Sequence, residues 1–322
     1  MVVEPRIGLA VIGPGAIADA HLAAFAAIGG VEPLWAVGRT TERTRDFADR
    51  WGIDRVSTRI EEALADERVC LALICSPNAL HVSQAEACLA AGRDVMLEIP
   101  IAMNAKQAQG LVRLAQDQGR RLFACHTMRS FAGIRRMHEL VRSGEEEITQ
   151  IQGFFAIPRR NNEGFTGTRT WIDDLLWHHA CHLVDASMWV TGSQEISDPW
   201  LMRGRVHPQF GMTMDLNLAF AMPAAGQGGT VIASHALTYN ASELTWQLRF
   251  VGCKGDYLFD TGRLTGPLLR GAALESEIRN LVPQNEQVLY GLRTQSPTDF
   301  DAEGVLPAMQ ALNLLQEVSG SG

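Results

Sequence analysis

The sequence predicts an α/β domain followed by an α+β domain, on three observations. Short runs apolar on both faces recur through the first third of the chain, at 7–12, 33–38, 69–75, 94–99 and 121–125. Stretches of helical period separate them, at 16–28, 41–51, 79–91 and 104–118. Past residue 126 the apolar runs lengthen and begin to alternate. Strands that are apolar on both faces and alternate with helices form a parallel sheet covered on both sides. Alternating strands suit an antiparallel sheet with one covered face.

In the second part, a helix over 131–142 leads to a long strand, ITQIQGFFAIP, over 148–158. A polar loop over 159–171 and a helix over roughly 173–191 follow. Further strands are expected at 199–207, 212–221, 229–238, 245–252 and 256–260, and a terminal helix at 303–317. The predicted division is 1–125 for the α/β domain and 126–322 for an α+β domain with an open-faced, mostly antiparallel sheet. An open sheet face needs a cover, and a twofold copy is the usual one, so a homodimer or homotetramer is expected.

Composition narrows the function. The 322 residues are 46% hydrophobic and 20% charged, ordinary for a globular chain. A net charge of −8 argues against a nucleic-acid binder. No apolar run approaches membrane-spanning length. The start, MVVEPRIGLAVIGPG, lacks a basic n-region and a cleavage site, and is expected to be a first strand rather than a signal peptide. The six cysteines (Cys70, Cys75, Cys88, Cys125, Cys181, Cys253) are scattered without a CxxC. That pattern suits reduced thiols in a cytoplasmic enzyme.

AVIGPGAIA, over 10–18, places Gly13-x-Gly15-x-x-Ala18 directly after a strand and at a helix start. This is a dinucleotide fingerprint in its required context, so the first domain is predicted to be a Rossmann domain. Gly13 permits a tight turn, Gly15 lets backbone approach a pyrophosphate, and Ala18 allows close helix–strand packing. Ala16 and Ile17 open the helix whose N-terminus faces the phosphates. The second strand ends at Gly38-Arg39-Thr40, without the acidic residue that usually holds the ribose hydroxyls of NAD. Arg39 suits a 2′-phosphate, with Thr40 adding a hydrogen bond, which favours NADP over NAD. Ser76-Pro77-Asn78, His81 and Glu98 follow the fourth and fifth apolar strands. Ligands of open α/β sheets bind at such carboxyl ends, so these residues join the predicted cofactor set.

WHHACH, over 177–182, is the second cluster of chemistry-bearing residues. His178, Cys181 and His182 stand at i, i+3 and i+4, a face that zinc could use, but no distant Cys/His pair completes such a site. The other reading is proton transfer, since histidine titrates near neutral pH. His178 and His182 share a helix face, and His179 points elsewhere.

Together these features resemble the Gfo/Idh/MocA oxidoreductase family over nearly the whole chain. Members carry Glu-Lys-Pro after the fifth strand with a catalytic lysine; this chain has Glu98-Ile99-Pro100. They also carry an Asp and a His four residues apart on a substrate-domain helix; here those positions hold His178 and His182. One branch, from aromatic-acid catabolism, is similar at both departures. It is similar too in His126-Thr127, in Arg159-Arg160, and in Arg169-x-Trp171-x-Asp173 running on to Asp185. It differs at Met128-Arg129-Ser130-Phe131, where the branch has an Arg-Arg-Phe run.

That resemblance implies a substrate closing to a cyclic hemiacetal with carboxylates, oxidised with NADP to the lactone 2-pyrone-4,6-dicarboxylate. His182 would be the base and His178 its orienting partner. Arg129, Arg160 and Arg169 would pair with carboxylates, and Trp171 and Asn162 would shape the pocket. Asp173 would orient a neighbour or cap the helix, and His126 would meet substrate or be structural. Two alternatives stay open: a family dehydrogenase for a sugar, cyclitol or other hydroxy-carbonyl compound, and a non-catalytic dinucleotide sensor.

Overall fold

The apolar runs of the first third become strands buried on both faces. In the computed structural model, which describes residues 6–159, 163–164, 167–168, 174–223, 229–269 and 273–318, β1 (Ile7–Ile12) alternates with α1 (Ala16–Ile28) and β2 (Val31–Val37). There follow α2 (Thr41–Trp51), β3 (Arg55–Ser57), α3 (Ile60–Leu64), β4 (Val69–Ile74), α4 (His81–Ala90), β5 (Asp94–Leu97), α5 (Ala105–Asp117) and β6 (Leu122–Ala124). The strands pair in parallel in the order β3-β2-β1-β4-β5-β6. Leu9, Ala10, Val11, Leu71, Leu73 and Met96 are fully buried, as a doubly covered sheet requires. The order reverses between β1 and β4, and their carboxyl ends are where such sheets bind ligands.

The second part begins with α6 (Ala132–Arg142) and β7 (Ile148–Pro158), then the short pair β8 (Glu163–Gly164) and β9 (Gly167–Thr168). A π-helical turn, Leu175–Ala180, runs into α7 (Cys181–Thr191). Then come β10 (Ser197–Arg203), β11 (Asp215–Pro223), β12 (Thr230–Thr238), β13 (Asn240–Gly252), β14 (Gly255–Asp260), β15 (Arg263–Thr265) and β16 (Leu274–Glu275). Two helices close the chain, α8 (Val282–Thr294) and α9 (Leu306–Val318).

The large sheet runs β10-β11-β12-β7-β13-β14-β15-β16, antiparallel except where β12 meets β7. One face is core: Leu218, Phe220, Ala233, Leu237, Ile151, Phe155, Leu248, Phe250, Tyr257 and Phe259 are buried. The alternate residues Trp200, Met202, Phe154, Ile232 and Leu258 are exposed.

The chain divides into two compact units. The first takes the chain up to Cys125 together with Arg279–Gly304; the second takes His126–Ile278 together with the chain from Val305. This differs from the expected division in one respect. Residues 279–304 belong to the first unit, where Val288, Leu289 and Phe300 join the core of Leu9, Val11, Leu71 and Phe123. The terminal helix belongs to the second unit. There α9 packs on α7 and β10, and Gln316 accepts the indole N–H of Trp177. Helix α8 escaped the apolar pattern because Gln284 and Asn285 are fully buried polar residues within it.

One buried group sets a pH limit. His235 on β12 lies opposite Gly153 of β7, and a β-carbon at Gly153 would fall 2.3 Å from its Nδ1. Its Nε2 lies 3.2 Å from the Ser187 hydroxyl. Burial pushes its pKa down to about 3, so the folded protein holds it neutral. The unfolded chain protonates it below about 6.5. The folded-state preference is therefore complete above about 6.5 and is lost as pH falls towards 3. Between pH 6.5 and 5 this single group is expected to cost about 2 kcal/mol of stability, read from urea midpoints. His235→Gln should flatten that slope; an unchanged slope would rule out His235 as its source.

Candidate functional site

The fingerprint turn lies at the carboxyl end of β1. Gly13 has φ +84°, and a β-carbon there would sit 2.4 Å from the Ser76 backbone nitrogen, so glycine is required by both turn and packing. Gly15 differs: it is extended, precedes α1, and a β-carbon on it meets nothing within 4 Å. No neighbour among the described residues asks for this glycine, and open space before a helix N-terminus suits the approach of a phosphate. Ala18 is fully buried, and Ile17 beside it is 40% exposed. Ala16 opens α1. Gly15→Val is expected to leave the melting temperature almost unchanged and to weaken NADPH binding at least tenfold, about 1.4 kcal/mol, by nicotinamide fluorescence. Unaltered affinity would remove the phosphate role from Gly15.

Gly38 has an internal reason to be small, since a β-carbon would strike Thr44 Oγ1 at 2.2 Å and Pro14 at 2.9 Å. That holds the β2 end against the fingerprint loop. Arg39 and Thr40 are both exposed beyond it, and Thr40, the N-cap residue of α2, uses no side-chain bond for capping.

Three residues of the predicted cofactor set are engaged within the unit. Ser76 donates its hydroxyl to Gln84 at 2.5 Å; Pro77 and Asn78 next to it are partly exposed. His81 is buried, with Nδ1 2.8 Å from the Pro100 carbonyl and Nε2 2.8 Å from the Ser76 carbonyl. A neutral ring has one N–H for two acceptors. Burial lowers its pKa, with the Pro100 and Ser76 carbonyls acting the other way. Glu98 receives His21 Nε2 at 2.8 Å and the Ile99 N–H at 3.2 Å. His81 therefore ties the end of β4 to the Glu98-Ile99-Pro100 turn, and Glu98 ties that turn to α1. Ser76, His81 and Glu98, expected in the cofactor set, thus also have partners inside the unit.

In the second unit, Asp174 starts the π-helical turn by accepting the backbone N–H groups of Leu176 and Trp177 at 2.7 and 3.2 Å. The Cys181 N–H bonds the Leu176 carbonyl five residues back, so the i,i+4 relation of His178 and His182 crosses a change of pitch. His179, the histidine between them, is buried with Nδ1 2.8 Å from the Tyr239 hydroxyl and its ring against Phe155. It is a core histidine. His178 is partly exposed and tilts against His179 at 4.5 Å.

His182 meets Trp246 edge-on at 4.9 Å and His126 at 6.3 Å. Its Nδ1 is shielded and has no hydrogen-bond partner among the described residues. The residue as a whole is partly exposed. Burial, and then the charge of His126, push its pKa down to about 3 against the pull of Asp185. The ring is neutral at working pH, and its pKa lies well below the ordinary histidine value assumed from sequence.

Asp185, one turn on along α7, gathers the cations. Arg129 reaches it through two bonds, Nε at 2.8 Å and an Nη at 2.5 Å, and His126 Nδ1 lies 3.3 Å away. All three are buried. Burial raises the carboxyl pKa, but Arg129 and His126 outweigh it and hold the group below the usual range. Arg129, expected to pair with a substrate carboxylate, makes this buried ion pair through Nε and one Nη. Arg160, Arg169, Trp171 and Asp173 lie outside the described residues, as does Asn162.

The structure thus brings His182, His126, Arg129, Asp185 and Trp246 together. Asp185 had a signal, an acid at i+3 from His182 on one helix face. Trp246 had none, since it arrives from a strand 64 positions away. The donor set read from sequence, His178, Cys181 and His182, is not a close group among the described residues; a different set, His21, Glu98 and Cys125, lies within 4.8 Å.

With the geometry in place, comparisons become informative. A model of the Gfo/Idh/MocA oxidoreductase family, with an NAD-binding Rossmann fold, matches residues 7–126, and a model of bacterial oxidoreductase C-terminal domains matches 133–267. A 4-carboxy-2-hydroxymuconate-6-semialdehyde dehydrogenase from a Sphingobium species is 34% identical over 66% of this chain and 67% of its own. An NADP-dependent scyllo-inositol 2-dehydrogenase of Bacillus subtilis is 26% identical over 62% of this chain and 56% of its own. The crystal structure of GenD2 from gentamicin A biosynthesis, in complex with NAD, superposes with a TM-score of 0.83 at 21% identity, covering 99% of this chain and 95% of that one.

Proposed function

The chain belongs to the Gfo/Idh/MocA family of oxidoreductases, and from that premise we propose that it oxidises the cyclic hemiacetal of 4-carboxy-2-hydroxymuconate-6-semialdehyde to the lactone 2-pyrone-4,6-dicarboxylate with NADP. One observation carries the reading: His182 is a neutral, desolvated imidazole with no hydrogen-bond partner among the described residues. Unsatisfied buried polar groups of this kind mark sites that await a ligand. The relative most identical among those above acts, by its name, on this semialdehyde.

In this reading His182 Nε2 takes the proton of the hemiacetal hydroxyl. The nicotinamide dinucleotide that the Gly13–Gly15 turn would hold would supply the hydride acceptor. A hemiacetal hydroxyl is more acidic than a plain alcohol, which makes Ile99 tolerable where relatives keep a lysine. A carboxylated substrate beside the imidazole raises its low pKa towards the working range. Arg39, exposed at the end of β2, supplies a cation for a 2′-phosphate. Arg160 and Arg169 are proposed to pair with substrate carboxylates, with Trp171 shaping the pocket and His178 and Asp173 orienting their neighbours.

The second reading is a cyclitol or sugar dehydrogenase of the same family, favoured by the scyllo-inositol enzyme among the relatives. Steady-state assays decide. The semialdehyde with NADP is expected to give kcat/KM at least a hundredfold above scyllo-inositol with either dinucleotide; the reverse ranking overturns the substrate. Tight NADP binding without turnover of either compound would make the chain a sensor. We also propose that a second copy covers the exposed row of Trp200, Met202, Phe154, Ile232 and Leu258. Light scattering after size exclusion tests it, with a monomer as the contrary result.

A further inference from the structure

We propose that His21, Glu98 and Cys125 form a binding site for one zinc-class divalent cation in the first unit. The three donors come from different elements. His21 lies on α1, Glu98 follows β5, and Cys125 follows the neighbouring strand β6. Their ligand atoms all lie within 4.8 Å of one another. His21 is fully buried, Cys125 is 1% exposed, and the Glu98 side chain is 15% exposed.

The donor chemistry is specific. Imidazole nitrogen with thiolate sulfur and one carboxylate oxygen suits zinc over magnesium or calcium, which prefer oxygen alone. Zinc bonds of about 2.0–2.3 Å place tetrahedral ligand atoms about 3.3–3.7 Å apart. The His21–Glu98 contact, now 2.8 Å, has to open. One thiolate and one carboxylate balance the charge of a dication, which removes the cost of burying it unpaired. Binding breaks the Cys125 S–H bond, forms a metal–sulfur bond and sends the proton to solvent.

A second, independent feature prepares the site. Metal-bound histidines usually have their other ring nitrogen held by an acceptor. His21 Nδ1 lies 3.0 Å from Asn285 Oδ1, and Asn285 is itself oriented by donating Nδ2 to the His21 carbonyl at 3.3 Å. With a metal bound, Nδ1 would donate to Asn285 Oδ1, and Nε2, which now lies 2.8 Å from Glu98, would be the ligand atom. Asn285 is fully buried on α8, and no local helix rule asks for it there. The partly exposed edge of Glu98 offers an entry path and the open fourth position of a three-ligand zinc site.

The test uses the full-length chain, freed of metal by chelation, and cobalt(II) chloride as the spectroscopic probe. One equivalent is expected to produce visible bands of tetrahedral intensity and a near-ultraviolet thiolate-to-cobalt band. Cys125→Ser should abolish the thiolate band and weaken zinc at least tenfold in competition. Replacing the exposed Cys70 and Cys253 with serine should change neither. X-ray absorption at the zinc edge on the wild-type protein needs no variant, and should show one sulfur near 2.3 Å and nitrogen or oxygen near 2.0 Å. A thiolate band that persists in Cys125→Ser, or a zinc shell without sulfur in the wild-type protein, overturns the assignment.

Discussion

Asp185→Ala is expected to destabilise the second unit by about 3–5 kcal/mol, the cost of removing one partner from a buried ion pair. Arg129, 3% exposed and bound to Asp185 through two nitrogens, would be left as an uncompensated cation. Asp185→Asn keeps the shape and some hydrogen bonding, and should recover part of the loss. Urea unfolding at pH 7 measures both. A loss under about 1 kcal/mol would show that the pair has no buried character. The sign with pH follows from the lowered carboxyl pKa. Its contribution is complete above about 3.9, the unfolded value, and disappears as pH falls through the lower folded value. Asp185 therefore fails at more acid pH than His235 does.

His182→Ala is expected to lower kcat by about 10²–10⁴-fold, the usual contribution of a positioned general base. Dinucleotide affinity, read by nicotinamide fluorescence on the same variant, separates lost chemistry from lost binding. With its pKa pushed down to about 3, the free protein's ring is neutral throughout pH 5–8. The kcat/KM profile should then lack the limb near 6.5 that an ordinary histidine would give. Added imidazole should restore part of the rate. Turnover near the wild-type value would move the base elsewhere, with His126, 3.3 Å from Asp185, as the next candidate.

The first unit was largely legible because its signals are local. Continuous apolar strands, helices between them and Gly13-x-Gly15 each follow from neighbours in sequence. What escaped was set by distant parts of the chain. Gly38, expected at the cofactor, also has to be small for Pro14 and Thr44. His81 and Glu98, which follow strand ends, also bond Pro100, Ser76 and His21. In the second unit the histidine cluster was visible, but its sorting was not. His179 became core only through Tyr239, sixty positions on, and Arg129 became structural only through Asp185, fifty-six positions on. An uninterrupted α-helix was the natural expectation for 173–191; the π-helical turn over Leu175–Ala180 has no signature in residue type.

The division of the chain has a consequence for how the protein is made. Val288, Leu289 and Phe300 complete the core of the first unit, and Leu312 and Leu315 are buried in the helix that completes the second. During synthesis, an N-terminal domain ordinarily folds while the rest of the chain is still being translated. Here residues 6–125 leave the ribosome lacking one wall, and the second unit emerges before that wall is delivered. The order of synthesis is not the order of completion: both units close only with the last forty or so residues. A nascent chain arrested before α8 should bind no dinucleotide tightly, even though the whole fingerprint has long been translated.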